Sequence, residues 1–289
     1  MKSRTTAFLL VAFGVCAFGA CTLASAQASR EVDVTTTHLR GPIYMLEGNG
    51  GNVGVSIGPD GVLIIDDQYE AMAGKLRAAL DDLSDAKLQF LLNTHHHFDH
   101  TGGNHIFGEE ALIVAHSNVR TRLMAGKNHN KAALPVITFD DSMSLHFNGE
   151  EIRLKHYPNG HTDNDVVIHF TGSNVVHMGD LLFTTSYPSF YPANGGSILG
   201  YARNVGAVLE WLPADAQVIA GHGRLASKDD VRAFHAMLVE TTGIVQERIA
   251  VGKSRDEAVA EGLPARYETW VSSFTTSARW LTNLYNDLD

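Results

Sequence analysis

Four histidines and one aspartate crowd into the six residues His95-His96-His97-Phe98-Asp99-His100. In an extended segment alternate side chains leave the same face, so His95 and His97 can converge on one cation. Asp99 and His100 follow within reach of a second. Imidazole and carboxylate together suit zinc or a similar divalent ion. The plain alternative is a histidine-rich polar loop. It fares poorly, because imidazoles crowded this closely repel one another when protonated and need partners when buried. Three further potential ligands stand apart in the chain: His161 in Gly160-His161-Thr162, Asp180 in Met178-Gly179-Asp180, and His222 in Gly221-His222-Gly223. Each follows a short apolar run and has a glycine neighbour that lets the backbone come close, the way sites are built at strand ends on α/β scaffolds.

The elements that must position these residues can be read from hydrophobic period. Ile43–Glu47 and Val53–Gly58 read as strands joined through Gly48–Asn52, a hairpin or mobile-loop signal. Val62–Ile65 is a wholly apolar strand ending in Asp66-Asp67. Met72, Leu76, Ala79, Leu80 and Leu83 then recur at helical spacing across 69–83. Leu88–Leu92 is a buried strand that runs into the histidine cluster, with a helix expected to start at Thr101. Leu112–Ala115 is a strand, Ser117–Met124 a helix, and Ala125–Pro135 an exposed loop. Strands follow at Met143–Phe147, Glu151–Tyr157, Val166–Phe170, Val175–Met178 and Val218–Ala220, with a helix at Gly200–Leu212 before the last of them. From Lys228 the pattern is helical to the end. Two halves of strands then helices, with polar loops at strand ends, suit an α/β protein built as a four-layer αββα sandwich with a C-terminal helical extension.

The chain has 289 residues, a net charge of −10, two cysteines and fifteen histidines. Both cysteines, Cys16 and Cys21, lie in a leader-like start. It has basic Lys2 and Arg4, an apolar stretch from Ala7 to Ala20, and a small-residue ending at Ala24-Ser25-Ala26. Residues 1–28 are expected to be a signal peptide that is removed, leaving 29–289 as one domain with 228–289 its helical C-terminal part. The working chain would then lack cysteine and stand in the periplasm or be secreted. Two alternatives are a retained membrane anchor, disfavoured by Gly14 and Gly19, and a lipoprotein anchored at Cys21. Losing Lys2 and Arg4 leaves 20 basic against 32 acidic residues. That balance argues against a nucleic-acid partner and for a small-molecule substrate, with no stable membrane insertion after cleavage.

The motif set resembles the metallo-β-lactamase superfamily over roughly Leu39 to Leu225. The resemblance assigns His95, His97 and His161 to a first metal site, Asp99, His100 and His222 to a second, and Asp180 to a bridge between them. Asp66, with Asp67 beside it, would orient a ligand or close the strand end. The implied activity is that of a dinuclear zinc hydrolase, with iron or manganese as other possible metals. A metal-bridging hydroxide, oriented by Asp99, would attack the carbonyl of a β-lactam or related cyclic amide or ester. The alternative is a lactonase or glyoxalase II-like thioesterase; export and the mixed charge of the helical tail weigh against a glutathione thioester. A different class altogether, a non-catalytic periplasmic zinc-binding protein, would take up metal without turnover.

The resemblance has a departure. Family β-lactamases with a cysteine at the position of Asp180 carry a lysine three residues on, where this chain has Phe183. A β-lactam carboxylate would need another anchor: Arg224, Arg203, or the hydroxyls of Thr184, Thr185 and Ser186. Tyr187, Phe190 and Tyr191 are candidates for the substrate-pocket wall, or for loop packing. His96 and His105 read as rim or surface residues, and His116, His156, His169 and His177 as structural histidines of the strands. Trp270 and Trp280 are expected in the core.

Overall fold

The computed structural model describes residues 32–126 and 130–289; the expected leader lies outside the described residues. Seven strands form the first sheet: β1 (Thr35–His38), β2 (Ile43–Glu47), β3 (Val53–Gly58), β4 (Gly61–Ile65), β5 (Leu88–Leu92), β6 (Leu112–His116) and β7 (Ile137–Phe139), paired in that order. The first four run antiparallel; β4 to β7 are parallel. The second sheet has β8 (Ser142–Phe147), β9 (Glu150–Tyr157), β10 (Asp165–Phe170), β11 (Val175–His177) and β12 (Gln217–Ile219), with β11 and β12 parallel. The helices are α1 (Ala73–Leu83), α2 (Phe98–Thr101), α3 (Asn104–Phe107), α4 (Ser117–Ala125), α5 (Ile198–Trp211), α6 (Lys228–Ala250), α7 (Arg255–Ala260) and α8 (Ser277–Leu288).

The uninterrupted apolar run in β4 follows from burial on both faces. Leu63 and Ile65 point into the layer between the sheets, with Leu154, Val166 and Ile168 of the second sheet. Val62 and Ile64 point outward under Leu76 and Leu80 of α1. On the far side of the second sheet, Val167, Val176 and Val218 pack against α5, α6 and α8 through Val205, Phe234 and Trp280. The layers are therefore α, β, β and α, as the strand and helix pattern led us to expect, with the C-terminal helices laid on the outer face of the second sheet.

The local boundaries differ in instructive ways. The helix after the histidine cluster starts at Phe98, so Asp99 and His100 sit in its first turn, where an aspartate meets the positive end of the helix. The C-terminal part is interrupted, with Ala265–Trp270 in a 3-10 turn and an extended stretch before α8. α6 is long and carries a full capping box in which Ser227 and Asp230 bond each other's backbone N–H groups. The exposed loop expected at 125–135 ends in buried Leu134 and Pro135. Among the described residues no helix is long and apolar enough to cross a membrane.

Candidate metal centre

Parallel pairing puts the carboxyl ends of β4 and β5 at one edge of the first sheet. The ends of β9, β11 and β12 share one edge of the second. Two bonds between segments of the two sheets hold these edges together: Val166 N–H donates to the Thr94 carbonyl at 2.8 Å, and Asn52 N–H to that of Gly221 at 2.7 Å. The Asn52 side chain adds bonds to the Ala220 and Gly223 carbonyls. The loop 48–52 is thereby stapled against the site, with Asn49 on the wall of the cleft above it. Gly51 lies so close to the His100 ring that a β-carbon would overlap it, and one on Gly221 would overlap Asp180.

Into this edge project two groups of side chains. His97 Nδ1 lies 3.1 Å from His95 Nε2 and 2.8 Å from His161 Nε2, while Asp180 Oδ2 stands 3.2 Å from His161 Nε2. His222 Nε2 is 3.1 Å from Asp99 Oδ2 and 3.4 Å from His100 Nε2. Asp180 Oδ1 is 3.1 Å from His100 Nε2. One carboxylate thus offers an oxygen to each group, and ligand atoms within each converge as metal ligands do.

In two of the rings the other nitrogen is engaged elsewhere, which sets what the converging atom presents. His161 Nδ1 donates to the Ser189 carbonyl at 2.7 Å and His100 Nδ1 to Asp66 Oδ2 at 2.8 Å. With Nδ1 committed outward, Nε2 of each of these two rings is the atom turned inward. Asp180 Oδ1 is buried and among the described residues accepts no hydrogen bond. Lone pairs and carboxylate oxygens facing one another at about 3 Å need a cation between them, so the donor set fits a pair of divalent metal ions.

The charges agree. Burial, with neighbouring imidazoles, holds His95 well below its ordinary pKa and His97 down at about 3, so the first group is neutral at physiological pH. In the second, burial opposes the charge, but Asp180 and Asp99 override it and carry His222 up to about 9. Asp180 itself is held well below the usual carboxylate range, its burial outweighed by His222 and His100.

A family model described as the metallo-β-lactamase superfamily matches residues 46–229. The chain belongs to that superfamily. The chain is also similar to curated proteins named hydroxyacylglutathione hydrolase. The one from Rhodospirillum rubrum is 33% identical over 46% of this chain and 47% of its own, and that from Gloeobacter violaceus is 28% identical over 47% and 50%. The chain spans about half the length of these relatives. Among solved structures, a metallo-β-lactamase from Pontibacter korlensis superposes with a TM-score of 0.64 at 13% identity, over 72% of this chain and 99% of its own. A double mutant of the sec-alkyl sulfatase PisA1 does so with 0.71 at 15% identity, over 88% and 50%. At those identities the likeness is one of fold. The superfamily match spans all seven candidate metal ligands, from His95 to His222.

The seven residues assigned from the superfamily motifs are brought together. Asp66 bonds His100, the Thr94 N–H and the Thr94 hydroxyl, whereas Asp67 closes the turn by accepting from Gly103 N–H. The pocket wall needs correction. A cleft of about 650 Å³ opens over the site, and of the aromatic trio only Tyr191 lines it. Tyr187 and Phe190 are buried in the core, Tyr187 stacked on Trp280 and bonded to the Tyr267 carbonyl, because the loop turns them under α8 rather than toward the site. Arg224 is also misassigned. It is exposed and turned to Asp230, 2.6 Å away, outside the cleft. Arg203 bonds the Pro158 carbonyl instead. Thr185 and Ser186 do reach the cleft, and Phe183 stacks on His222.

Several residues escaped sequence reasoning. Asp165, fully buried, accepts from the Thr162 hydroxyl and N–H and locks the turn that carries His161; burial pushes it up to about 8. The Thr162-x-x-Asp165 spacing was its signal. Asn164 holds the His96 backbone, and Asn194 bridges the rings of His96 and His97. The literal G-x-S-x-G of Gly54–Gly58 is not a nucleophile elbow: Ser56 sits buried in mid-strand β3, its hydroxyl bonded by Asn148.

Proposed function

We propose that this protein is a dinuclear zinc hydrolase of acyl bonds, acting on an ester or thioester rather than a β-lactam. The observation that carries the two-metal reading is Asp180, whose separate oxygens approach the two donor groups at 3.2 and 3.1 Å. His95, His97 and His161 would hold one ion, Asp99, His100 and His222 the other; iron or manganese would suit the same donors. Bound there, divalent ions supply Lewis acidity and a water acidic enough to ionise near neutral pH.

The chain's own residues do the rest. Asp99, held ionised by His222, orients the attacking water and accepts its proton. Asp180 keeps the two groups in register, and Asp66 fixes the His100 ring. The ester or thioester reading is supported by the hydroxyacylglutathione hydrolase relatives. Phe183 where a carboxylate-anchoring lysine would stand, and Arg224 tied to Asp230, both weigh against a β-lactam. The leader-like residues 1–28 favour a substrate met after export, and so a thioester other than that of glutathione.

The test is a panel of a penicillin, a cephalosporin, a homoserine lactone, S-lactoylglutathione and a simple thioester, offered to the purified zinc-loaded protein. Turnover of an ester or thioester that a chelator abolishes is expected. Turnover of β-lactams alone would reverse the choice of substrate, and tight zinc uptake with no turnover would make this a zinc-binding protein without catalysis.

A further inference from the structure

Large apolar side chains stand exposed around the mouth of the metal cleft. Phe98 is 63% exposed and Phe274 66%, with Tyr191 at 39%. All three line the same cleft, together with Tyr69 and Phe183. A single exposed phenylalanine needs no explanation, but a cluster rimming one cavity marks a binding surface. Each is held in place. Phe98 packs against Tyr69 with ring centroids 6.0 Å apart, and Tyr191 lies edge-on to the His97 ring at 4.5 Å. Phe274 is backed by Arg279, whose guanidinium lies 5.3 Å from its ring centroid and donates to its carbonyl. Arg279 stands behind the ring, and among the described residues that line the cleft itself there is no lysine or arginine.

We propose that this cleft selects substrates whose group beyond the scissile carbonyl is uncharged and apolar or aromatic. Phe98 and Phe274 are its specificity-determining contacts, and substrates bearing a carboxylate away from the metals, glutathione conjugates included, are disfavoured. The proposal rests on the hydrolase reading above and narrows it. The physical argument is desolvation. An apolar chain laid between Phe98 and Phe274 buries surface on both partners, whereas a carboxylate there would lose water without a lysine or arginine on the cleft wall to receive it. The reaction is ordinary hydrolysis: water adds to the carbonyl carbon, the carbon–sulfur or carbon–oxygen bond breaks, and the leaving thiolate or alkoxide takes up the proton.

The test pairs turnover with binding. The zinc-loaded protein is assayed on N-acetylcysteamine thioesters of acetic, hexanoic, phenylacetic and succinic acids. Calorimetry measures binding of two thioethers that cannot be hydrolysed, S-hexyl-N-acetylcysteamine and its 5-carboxypentyl counterpart. We expect kcat/KM to rise about tenfold from acetyl to hexanoyl and phenylacetyl, the worth of burying roughly 50 Å² of apolar surface, with succinyl lowest. The hexyl thioether should bind about tenfold more tightly than the carboxylate. Phe98→Ala and Phe274→Ala should each remove most of that preference through KM, and Phe98→Leu and Phe274→Leu should restore much of it. Hydrolysis with a flat or succinyl-first order would overturn the selectivity and leave the hydrolase reading standing. Thioether preference without hydrolysis of any thioester would support the selectivity and overturn the hydrolase reading. Neither preference nor hydrolysis would overturn both.

Discussion

Asp66 Oδ2 accepts the His100 Nδ1 proton at 2.8 Å, joining two fully buried residues 34 apart in the chain. Asp66 adopts a left-handed φ of 62° and uses its other oxygen to cap Thr94 N–H, so one carboxylate both turns the chain and aims a ligand. Asp66→Asn preserves the shape but cannot hold the same proton. It should weaken metal affinity at the second group by about 10- to 100-fold while the first group keeps its metal. Chelator-competition titration with metal analysis checks this, and unchanged affinity at both groups would count against the assigned role.

Asp99 is the part-exposed carboxylate nearest His222. Asp99→Ala should lower kcat by about 100- to 10,000-fold, the usual worth of a positioned general base, with the folded state kept. Circular dichroism and a thermal melt alongside the kinetics separate the two effects. Retained turnover would refute the role.

The corrected placement of Tyr187 makes an opposite pair of predictions with Tyr191. Tyr187→Phe leaves the buried Tyr267 carbonyl without its 3.0 Å donor and should cost about 1 kcal/mol of stability with KM unchanged. Tyr191→Ala strips a cleft-lining ring and should raise KM several-fold for apolar substrates with little change in melting temperature. Denaturant unfolding and steady-state kinetics on both variants decide it, and a raised KM in Tyr187→Phe would restore it to the pocket wall.

His156 stacks on His116 at 3.7 Å and bonds the Asp163 carbonyl. Burial, then the facing His116, holds its pKa below the ordinary value of 6.5. A group whose folded pKa is depressed binds fewer protons folded than unfolded. The stability given by its neutral packing is therefore full above about 6.5 and declines as pH falls from there toward the lower folded pKa, because the unfolded chain takes up the proton first. His156→Gln should flatten the fall in melting temperature between about pH 6.5 and 5 relative to the wild type. Partial exposure keeps the difference under about 1 kcal/mol. A variant with the same or a steeper slope would show that this pair does not set the acid limb.

The metal-ligand types and their strand-end placement were legible because each depends on local pattern. The i, i+2 spacing of His95 and His97 puts both on one face, and apolar runs such as Val62–Ile65 announce strands buried on two sides. The start of α2 was misplaced because Phe98 breaks no period. It is an apolar residue left in solvent, and its reason lies at the mouth of a cleft assembled from loops far apart in sequence.

What the amino-acid sequence determined by itself was the donor set, the leader-like start and the layered α/β pattern, since these follow from residue type and short-range spacing. Only the tertiary structure decided that Asp165 locks the turn carrying His161 and that Arg224 spends its charge on Asp230. It also decided that Tyr187 and Phe190 belong to the core while Tyr191 and Phe274 face the cleft. Neighbouring loop residues carry similar chemistry, and which of them turns inward is settled by the path of the chain and by what α8 and the opposite sheet edge place against it.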